Sequence, residues 1–154
     1  MLSDSEQREI EEELSRYPDK QAVCVDALKI VQRHRGWVSD EAVKDVASLL
    51  EMSPHEVDGV ATFYNLIYRK PVGRHVIHVC DSVSCWVMGC DAICGRLKER
   101  LGIRMGDTTS DGRFTLLPIV CLGVCELAPA MMIDGATHGN LTEEQLERIL
   151  ETHP

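Results

Sequence analysis

Two pairs of cysteines are the residues whose type and spacing point most directly to chemistry. Cys80 and Cys85 are separated by four residues, and Cys121 and Cys125 are separated by three. The pairs together supply four thiolates, which is the number that a [2Fe-2S] cluster requires at two per iron. The spacing therefore indicates a binuclear iron–sulfur site built from two segments that are distant in sequence.

Each cysteine pair follows an apolar run with the composition of a β-strand. Residues 75–79 lead into the first pair, and residues 114–120 lead into the second. Two strands that end side by side place the loops that follow them at the same edge of a sheet. We therefore expect the loops over residues 81–85 and 122–126 to be compact and to offer backbone N–H groups to the sulfurs.

The other three cysteines occupy helical positions. Cys90 and Cys94 recur with Leu97 and Leu101 at the i, i+4, i+7 and i+11 positions of one apolar helix face, and Cys24 lies on a similar face. A cysteine on such a face behaves as a small buried apolar residue. We interpret these three thiols as structural and not as metal ligands.

Zinc is the alternative metal. Four-cysteine zinc sites usually use the tight spacing Cys-x2-Cys, which neither pair has, but a zinc-stabilised binding module without a redox role stays open. A Rieske centre needs two histidines on one iron, and His75 and His78 lie on the preceding strand and not in the ligand loops. Dithiol redox chemistry of the thioredoxin type also lacks its usual motif.

Nucleotide-binding motifs are absent from the sequence. It contains neither a Gly-x-Gly-x-x-Gly dinucleotide fingerprint nor a P-loop. We therefore assign no catalytic residue and no nucleotide site to this chain alone. The chain is predicted to be an electron carrier that works with a catalytic partner.

Charge and hydropathy exclude several classes of protein. The chain has 154 residues and a formal net charge of −9, so nucleic-acid binding, which needs a basic surface, is disfavoured. No apolar run approaches the ~20 residues of a membrane span, and the first residues lack the pattern of a signal peptide. We therefore expect a cytoplasmic protein without direct membrane insertion, whose seven cysteines are metal ligands or buried thiols.

The sequence pattern changes once along the chain. Residues 3–66 carry four helical stripes, whereas strands and helices alternate after residues 71–73. We therefore predict an α+β protein with an N-terminal helical bundle over residues 1–72 and a second domain over residues 73–154. The predicted stripes of the bundle are Ile10, Leu14 and Tyr17; Cys24, Ala27, Leu28 and Val31; Val43, Val46, Ala47 and Leu50; and Val57, Val60, Ala61 and Tyr64.

Capping residues mark the predicted ends of several helices. Ser39 and Ser53 are predicted N-caps, and Glu56 closes a capping box with Ser53. Thr142 and Gln145 form a second capping box at the start of the last helix. Ahead of this last helix, the second domain is predicted to contain strands over residues 75–79, 114–120 and 130–133 and a helix over residues 88–101.

Longer stretches of sequence carry a resemblance to a known family. They lie at residues 59–64, 71–75, 80–85, 111–116, 121–125 and 129–134 and extend across nearly the whole chain. In these stretches the chain resembles the E subunit of the respiratory NADH:quinone oxidoreductases (complex I), which belongs to the thioredoxin-like [2Fe-2S] ferredoxins. The resemblance implies that a thioredoxin-like ferredoxin domain follows the N-terminal helical bundle.

The resemblance also implies a cofactor and partners. It implies one [2Fe-2S] cluster held by Cys80, Cys85, Cys121 and Cys125. It implies docking onto a flavoprotein subunit that carries FMN and binds NADH, and assembly with a further iron–sulfur subunit of the peripheral arm. This arm lies at the cytoplasmic face of the inner membrane. Thioredoxin-like ferredoxins without the bundle can form homodimers, so the isolated chain is a candidate homodimer.

Related subunits serve NAD-linked hydrogenases and formate dehydrogenases, and the cysteine pattern does not separate these from complex I. The N-terminal bundle and the short length favour complex I.

Phe63 lies off the apolar stripe and is expected at an interface, whereas Tyr64 lies on the stripe and is expected in the core.

Thioredoxin-like folds commonly have a cis proline at the place comparable to Pro129, although X-Pro bonds are cis only ~5 % of the time. The sequence leaves this isomer open.

Overall fold

The computed structural model describes residues 1–153. The chain forms two compact units, one comprising Met1–Pro71 and the other beginning at Val72. The first unit is helical. It consists of α1 (Asp4–Leu14), α2 (Cys24–Arg35), α3 (Asp40–Leu50) and α4 (Pro54–Phe63), with a 3-10 turn at Lys20–Val23 before α2.

The predicted caps start the helices of the first unit. The Ser39 side chain accepts from the backbone N–H of Ala42 at the start of α3. Ser53 and Glu56 form the predicted capping box at the start of α4. These contacts satisfy backbone N–H groups that have no partner within the helix.

The apolar stripes of the first unit form its core. Ile10 of α1, the stripes of α2 and α3, and Val57 and Ala61 of α4 are buried there. Two aromatic residues at the ends of the predicted stripes are exposed instead, Tyr17 at 41 % and Tyr64 at 45 %. The prediction for both was wrong because α1 ends at Leu14 and α4 ends at Phe63. Beyond a helix end the side chain no longer follows the helical period. Phe63 is 79 % exposed, as expected.

An ion pair anchors α1 to α2 in this unit. Glu6 is only 1 % exposed. Its carboxylate accepts from Nε and Nη2 of Arg35 at 2.6 and 2.7 Å. The same carboxylate accepts from the N–H of Ser3 at 2.7 Å in a capping box that starts α1.

The second unit is a four-stranded sheet with helices, which confirms the predicted α+β class. Its elements are β1 (His75–Cys80), α5 (Val83–Val87), α6 (Cys90–Leu101), β2 (Phe114–Ile119), β3 (Met131–Ile133), β4 (Ala136–His138) and α7 (Glu143–Glu151). The strands run in the order β2-β1-β3-β4, with β1 and β2 parallel and the other pairs antiparallel. The predicted capping box of Thr142 and Gln145 starts α7.

The core of the second unit joins the sheet to α6 and α7. Its buried residues come from both helices and from β1, β2 and β3; they are Ile77, Val79, Ile93, Leu97, Phe114, Leu116, Met131, Ile133, Leu141, Leu146 and Leu150. This core packs against β1 and β2, and the loops that carry the cysteines leave the sheet from these two strands.

None of the helices within residues 1–153 has both the length and the apolar character that crossing a lipid bilayer requires.

Candidate metal centre

The carboxyl ends of β1 and β2 position the two cysteine loops. Cys80, the last residue of β1, lies opposite Ile119, the last residue of β2. Beyond this pair the N–H of Asp81 donates to the carbonyl of Ile119 at 3.1 Å. Cys121 follows two residues after Ile119. Both loops therefore begin at the same edge of the sheet, which confirms the arrangement expected from the apolar runs.

The first loop contains a short helix that the sequence pattern did not predict. Helix α5 begins after Ser82 and carries Cys85. The N–H of Trp86 donates to the carbonyl of Ser82 at 2.9 Å and closes this turn. Cys80 and Cys85 are each 2 % exposed, so the first pair is the buried half of the site.

The second loop leaves its cysteines at the surface. Gly123 has a φ of +76°, a left-handed conformation that glycine adopts without steric cost. Its N–H donates to Sγ of Cys121 at 3.3 Å. A 3-10 turn follows at Cys125–Leu127. Cys121 and Cys125 are both exposed and form the open half of the site.

The four thiols are neighbours in space. The sulfur of Cys121 interacts with the side chains of Cys125 and Cys80. The Cys80 side chain in turn contributes to the raised pKa of Cys85. These interactions link Cys121 to Cys125 and Cys80, and Cys80 to Cys85.

The two halves of the site differ in their electrostatics. The backbone N–H of Gly123 lowers the pKa of Cys121, with further hydrogen bonds from neighbouring side chains. Burial raises the pKa of Cys85 to about 11, and its hydrogen bond with Cys80 adds to this effect. Metals bind thiolates and not thiols. Cys121 therefore loses its proton more readily than Cys85, whose deprotonation would be favoured by the positive charge of a bound metal.

The donor set suits a binuclear cluster. Within residues 1–153, no three or more His, Cys, Asp or Glu side chains are already arranged to hold a single metal ion. A [2Fe-2S] cluster requires a different arrangement, with two thiolates on each of two irons. Two adjacent loops that each contribute two cysteines match this requirement.

The remaining cysteines lie outside this set of four. Cys24 and Cys90 are each 3 % exposed, as their helical positions predicted, whereas Cys94 is only half-buried. Burial raises the pKa of Cys94 to about 11. Cys90 lies in the same buried cluster as Cys80 and Cys85. Helical periodicity gave no signal for this proximity.

A proline segment forms one wall of the buried half. The Ala128–Pro129 peptide bond, whose isomer the sequence left open, is cis. Ala128 and Ala130 pack in the buried cluster with the first cysteine pair. The N–H of Cys80 donates to the carbonyl of Ala130 at 3.1 Å, so the segment is fixed directly to the end of β1.

Exposed apolar side chains adjoin the cysteines. Four of them lie on or beside α5 and are between 60 and 69 % exposed: Val83, Trp86, Val87 and Met88. We call this group the α5 surface. Val120, which immediately precedes Cys121, is 71 % exposed. Several exposed apolar side chains close together in sequence are typical of an interaction surface.

A small mixed sheet packed against helices, with two parallel strands that end in cysteine-bearing loops, is typical of a thioredoxin-like domain. A family model described as thioredoxin-like [2Fe-2S] ferredoxin matches residues 10–153, and the chain belongs to this family. The match confirms the family that the sequence stretches indicated and supports a [2Fe-2S] cluster as the cofactor.

Individual relatives are similar over nearly the whole chain. The E subunit of the NADH-quinone oxidoreductase of Pseudomonas aeruginosa is 48 % identical over 153 residues, which is 99 % of this chain and 92 % of the relative. The subunit of the same name from Escherichia coli (strain K12) is 50 % identical over 152 residues, with the same two coverages.

A solved structure is similar to most of the chain. The crystal structure of an NAD+-reducing [NiFe]-hydrogenase in the air-oxidized state matches with a TM-score of 0.71 and 25 % identity, and the match covers 84 % of this chain. The matched region is 22 % of the hydrogenase chain, so this protein spans about a fifth of that longer chain.

Proposed function

We propose that this chain is the [2Fe-2S] electron-carrier subunit of an NADH:quinone oxidoreductase. In this proposal Cys80, Cys85, Cys121 and Cys125 hold the cluster, which exchanges single electrons with the FMN of a flavoprotein subunit. The observation that carries the proposal is the parallel pairing of β1 with β2, because it places two cysteine loops side by side. Identity at about half of all residues to relatives from NADH-quinone oxidoreductases supports the choice of complex.

The chain contributes ligation, shielding and charge stabilisation. A bound [2Fe-2S] cluster supplies one-electron transfer. The buried pair Cys80 and Cys85 would shield a bound cluster from water, while the exposed pair Cys121 and Cys125 would hold it close to the surface. The N–H of Gly123 stabilises negative charge on Cys121 Sγ, as hydrogen bonds to ligand sulfurs do in iron–sulfur proteins. These features suit transfer of electrons through the exposed half.

The α5 surface is the part of the second unit that we assign to the flavoprotein subunit. Its four side chains carry no charge, they are all exposed, and they lie in and next to the first cysteine loop. Trp and Met are enriched in the centres of protein interfaces. Docking there would exclude water from the exposed half of the site and bring the partner's FMN close to the cluster.

The helical unit supplies a second binding surface in this proposal. Phe63 is 79 % exposed at the end of α4 and packs edge-to-face on Tyr64, with ring centroids 5.4 Å apart. Leu66 is also exposed, at 44 %. These three residues, which we call the α4 surface, give the flavoprotein subunit an apolar contact on the N-terminal unit.

The assembled complex also determines location. NADH and FMN bind to the flavoprotein subunit, a further iron–sulfur subunit of the peripheral arm is a neighbour, and the arm lies at the cytoplasmic face of the inner membrane. In the isolated chain, the uncovered α5 surface is the region that a homodimer would use.

A second candidate is the equivalent subunit of an NAD-linked hydrogenase. The similarity to the NAD+-reducing [NiFe]-hydrogenase, with a TM-score of 0.71, favours it as the alternative. Identities of 48 and 50 % to the NADH-quinone oxidoreductase relatives, against 25 % for the hydrogenase, place the first candidate ahead.

Electron exchange with the flavoprotein subunit tests the proposal. The chain is purified anaerobically, its cluster is reduced with dithionite, and excess dithionite is removed. NAD+ is then added in excess, with or without the FMN-loaded flavoprotein subunit from the same source. We expect the EPR signal of the reduced cluster to disappear only when the flavoprotein is present, with two reduced clusters consumed for each NADH formed. A signal that persists with both NAD+ and the flavoprotein would contradict the proposed function.

A further inference from the structure

The α4 surface lies at the end of α4 and on the irregular segment that follows it. Tyr64 leaves the helix with an extended backbone, at φ −87° and ψ 112°. The N–H of Ile67 donates to the carbonyl of Tyr64 at 2.9 Å and closes a turn that contains Leu66. Ile67 itself is 6 % exposed and packs in the core of the helical unit. Because no helix or strand pairs the backbone of this segment, its conformation depends on contacts with neighbouring elements.

The side chain of Gln32 in α2 binds the backbone on both sides of Ile67. Its Nε2 donates to the carbonyl of Leu66 at 2.8 Å, and its Oε1 accepts from the N–H of Tyr68 at 2.6 Å. The carbonyl of Tyr68 accepts from the N–H of Val38 at 2.8 Å. One amide side chain thus pairs the segment as a neighbouring strand would, on the residues next to the exposed Leu66.

Arg69 fixes the other end of the segment to two helices. Its Nε donates to Oδ1 of Asp58 in α4 at 2.9 Å, and its Nη2 donates to Oδ1 of Asp40 in α3 at 2.6 Å. Its Nη1 donates to the carbonyl of Val38. All three nitrogens of the planar guanidinium are therefore bound, and the side chain is only 20 % exposed. Such a group holds its neighbours in one arrangement.

We propose that Gln32 and Arg69 are positioning residues that hold the α4 surface in its binding conformation before the flavoprotein subunit binds. The surface then docks preformed, with Phe63, Tyr64 and Leu66 directed at an apolar pocket of the partner. This inference rests on the proposed function, since it takes the flavoprotein subunit as the partner. It goes beyond that function because it assigns the mode of binding and two residues that act through the surface.

Two observations favour the flavoprotein subunit as the occupant of this surface. The α4 surface is uncharged in a chain with a formal net charge of −9, so its complement is an apolar pocket and not a basic patch. The similarity to the NAD+-reducing hydrogenase covers 84 % of this chain, which is more than the second unit alone supplies. Part of the helical unit therefore accompanies the ferredoxin unit within a longer chain that reduces NAD+.

The physical argument concerns the cost of ordering a segment. A partner that binds a mobile segment must restrict its backbone and side chains, and this entropy cost reduces the affinity. If only a fraction of the molecules has the binding conformation, the apparent affinity falls by that fraction. The association rate falls with it, because fewer encounters succeed. The dissociation rate does not change, because the bound conformation is the same.

Binding kinetics on the full chain test the inference. Gln32→Met removes both hydrogen bonds but keeps the length of the side chain and a good helix former. Biolayer interferometry with the FMN-loaded flavoprotein subunit measures the rates. We expect Gln32→Met to associate about three- to tenfold more slowly, with an unchanged dissociation rate and with full iron and sulfide. Phe63→Ala removes a contact and should instead dissociate faster, as changes within an interface mostly do.

A second substitution background and a matched control separate this role from a general effect. When Phe63, Tyr64 and Leu66 are all replaced by alanine, adding Gln32→Met should slow association no further, because the surface that it positions is gone. Gln7→Met is the control. The Gln7 side chain donates to Oε1 of Glu11 at 2.9 Å within α1, so its loss should leave both rates at the wild-type values.

Hydrogen exchange of the free chain reports the order of the segment directly. In Gln32→Met the amides of residues 66–68 should exchange faster than in the wild type, while those of α2 and α3 keep their protection. Arg69→Lys, which keeps the charge but loses the planar set of donors, should also slow association. It covers the case in which Gln32→Met unfolds the helical unit.

Several results would overturn the inference. They are wild-type association rates in both variants, an equal loss of association in the triple-alanine background, a change confined to the dissociation rate of Gln32→Met, and unfolding of the helical unit in both variants. Failure of the wild-type chain to bind the flavoprotein subunit would instead contradict the proposed function itself.

Discussion

Cys80 and Ile119 are register partners at the ends of the parallel strands β1 and β2. Because of this pairing, Cys80 lies at the edge of the sheet beside Ile119. Cys121, the first cysteine of the second pair, follows Ile119 by two residues. Neighbouring strands lie about 4.8 Å apart, so a segment that is distant in sequence begins its loop within reach of the first. Cys80 and Ile119 are both buried in one cluster with Cys85, Cys90, Ala128 and Ala130, which packs the two strand ends together.

The conformation of Gly123 is expected to matter for the stability of the exposed half. At a φ of +76°, an alanine would cost about 1–2 kcal/mol in backbone strain. We expect Gly123→Ala to lower the free energy of unfolding of the second unit by this amount or to displace the N–H that donates to Cys121. The variant should also lose its cluster faster in the presence of a chelator, and the decay of the visible absorbance of the cluster measures this rate.

Gly95 is the control for this substitution. It lies on the exposed side of α6, and a Cβ added there would have no neighbour within 4 Å. Gly95→Ala should therefore stabilise the protein by about 0.5–1 kcal/mol and leave the rate of cluster loss unchanged. Equal rates of cluster loss in the two variants and the wild type would show that the Gly123 conformation has no role at the site.

The ion pair between Glu6 and Arg35 predicts a pH dependence of stability. Hydrogen bonds from Arg35 are the main cause that lowers the pKa of Glu6 from 4.5 to about 2. A carboxyl group whose pKa is lowered by folding stabilises the folded state at pH values above its ordinary pKa. This stabilisation is lost as the pH falls toward the lower pKa of the folded state. We expect Glu6→Gln to lower the free energy of unfolding by about 1.5–3 kcal/mol at neutral pH. This difference from the wild type should shrink between pH 4.5 and about 2.

Denaturant unfolding at neutral pH and at about pH 3.5 measures this difference. Glu9→Gln is the control, because Glu9 pairs with Arg33 and His34 at the surface and its side chain is 38 % exposed. An exposed pair contributes only about 0–1 kcal/mol. A Glu6→Gln effect that stayed constant across this pH range would mean that the charge of Glu6 is not the source of the stabilisation.

The two apolar surfaces are expected to contribute separately to binding of the flavoprotein subunit. Trp86→Glu and Phe63→Glu each place a charge where an exposed apolar ring now lies, 61 and 79 % exposed respectively. We expect each variant to bind the FMN-loaded subunit at least tenfold more weakly, a change of about 1.4 kcal/mol, while keeping its iron. Biolayer interferometry with the wild-type chain as reference measures the affinities.

Tyr17→Gln is the control for these variants, since Tyr17 is another exposed aromatic residue, at 41 %, outside both surfaces. Its affinity should equal that of the wild type.

Size-exclusion chromatography with light scattering tests whether a second copy of the chain binds the α5 surface instead. Wild-type affinity for the flavoprotein in Trp86→Glu, together with loss of a homodimer, would assign that surface to self-association.

Regular patterns in the sequence were enough to predict much of the fold. The capping boxes of Ser53 and Thr142 and the stripes of α2 and α3 depend on local contacts, so the sequence specifies them directly. The same holds for the strands that lead into Cys80 and Cys121, whose apolar runs are long enough to recognise. The expectation that both strands end at the same edge of the sheet followed from the assumption that two ligand loops must meet, and the structure adds that the two strands pair in parallel.

Features that depend on short segments or chain reversals were missed. Helix α5 has five residues and β4 has three, which is too short for a periodic signal. The exposure of Tyr64 follows from the end of α4, and a stripe alone does not reveal where a helix ends. The position of Cys90 beside the ligands depends on the turn at Gly89, which changes the direction of the chain between two helices.

The metal content of the wild-type chain and two cysteine variants tests the central claim most directly. Iron, zinc and acid-labile sulfide are measured on anaerobically purified protein, with EPR after dithionite reduction. We expect two irons, two sulfides and a spin-½ signal per chain, as a [2Fe-2S] cluster requires. The cluster should be lost or distorted in Cys121→Ser and kept in Cys90→Ala. Zinc in place of iron without an EPR signal, or an unchanged signal and iron content in Cys121→Ser, would contradict the assignment of the four cysteines.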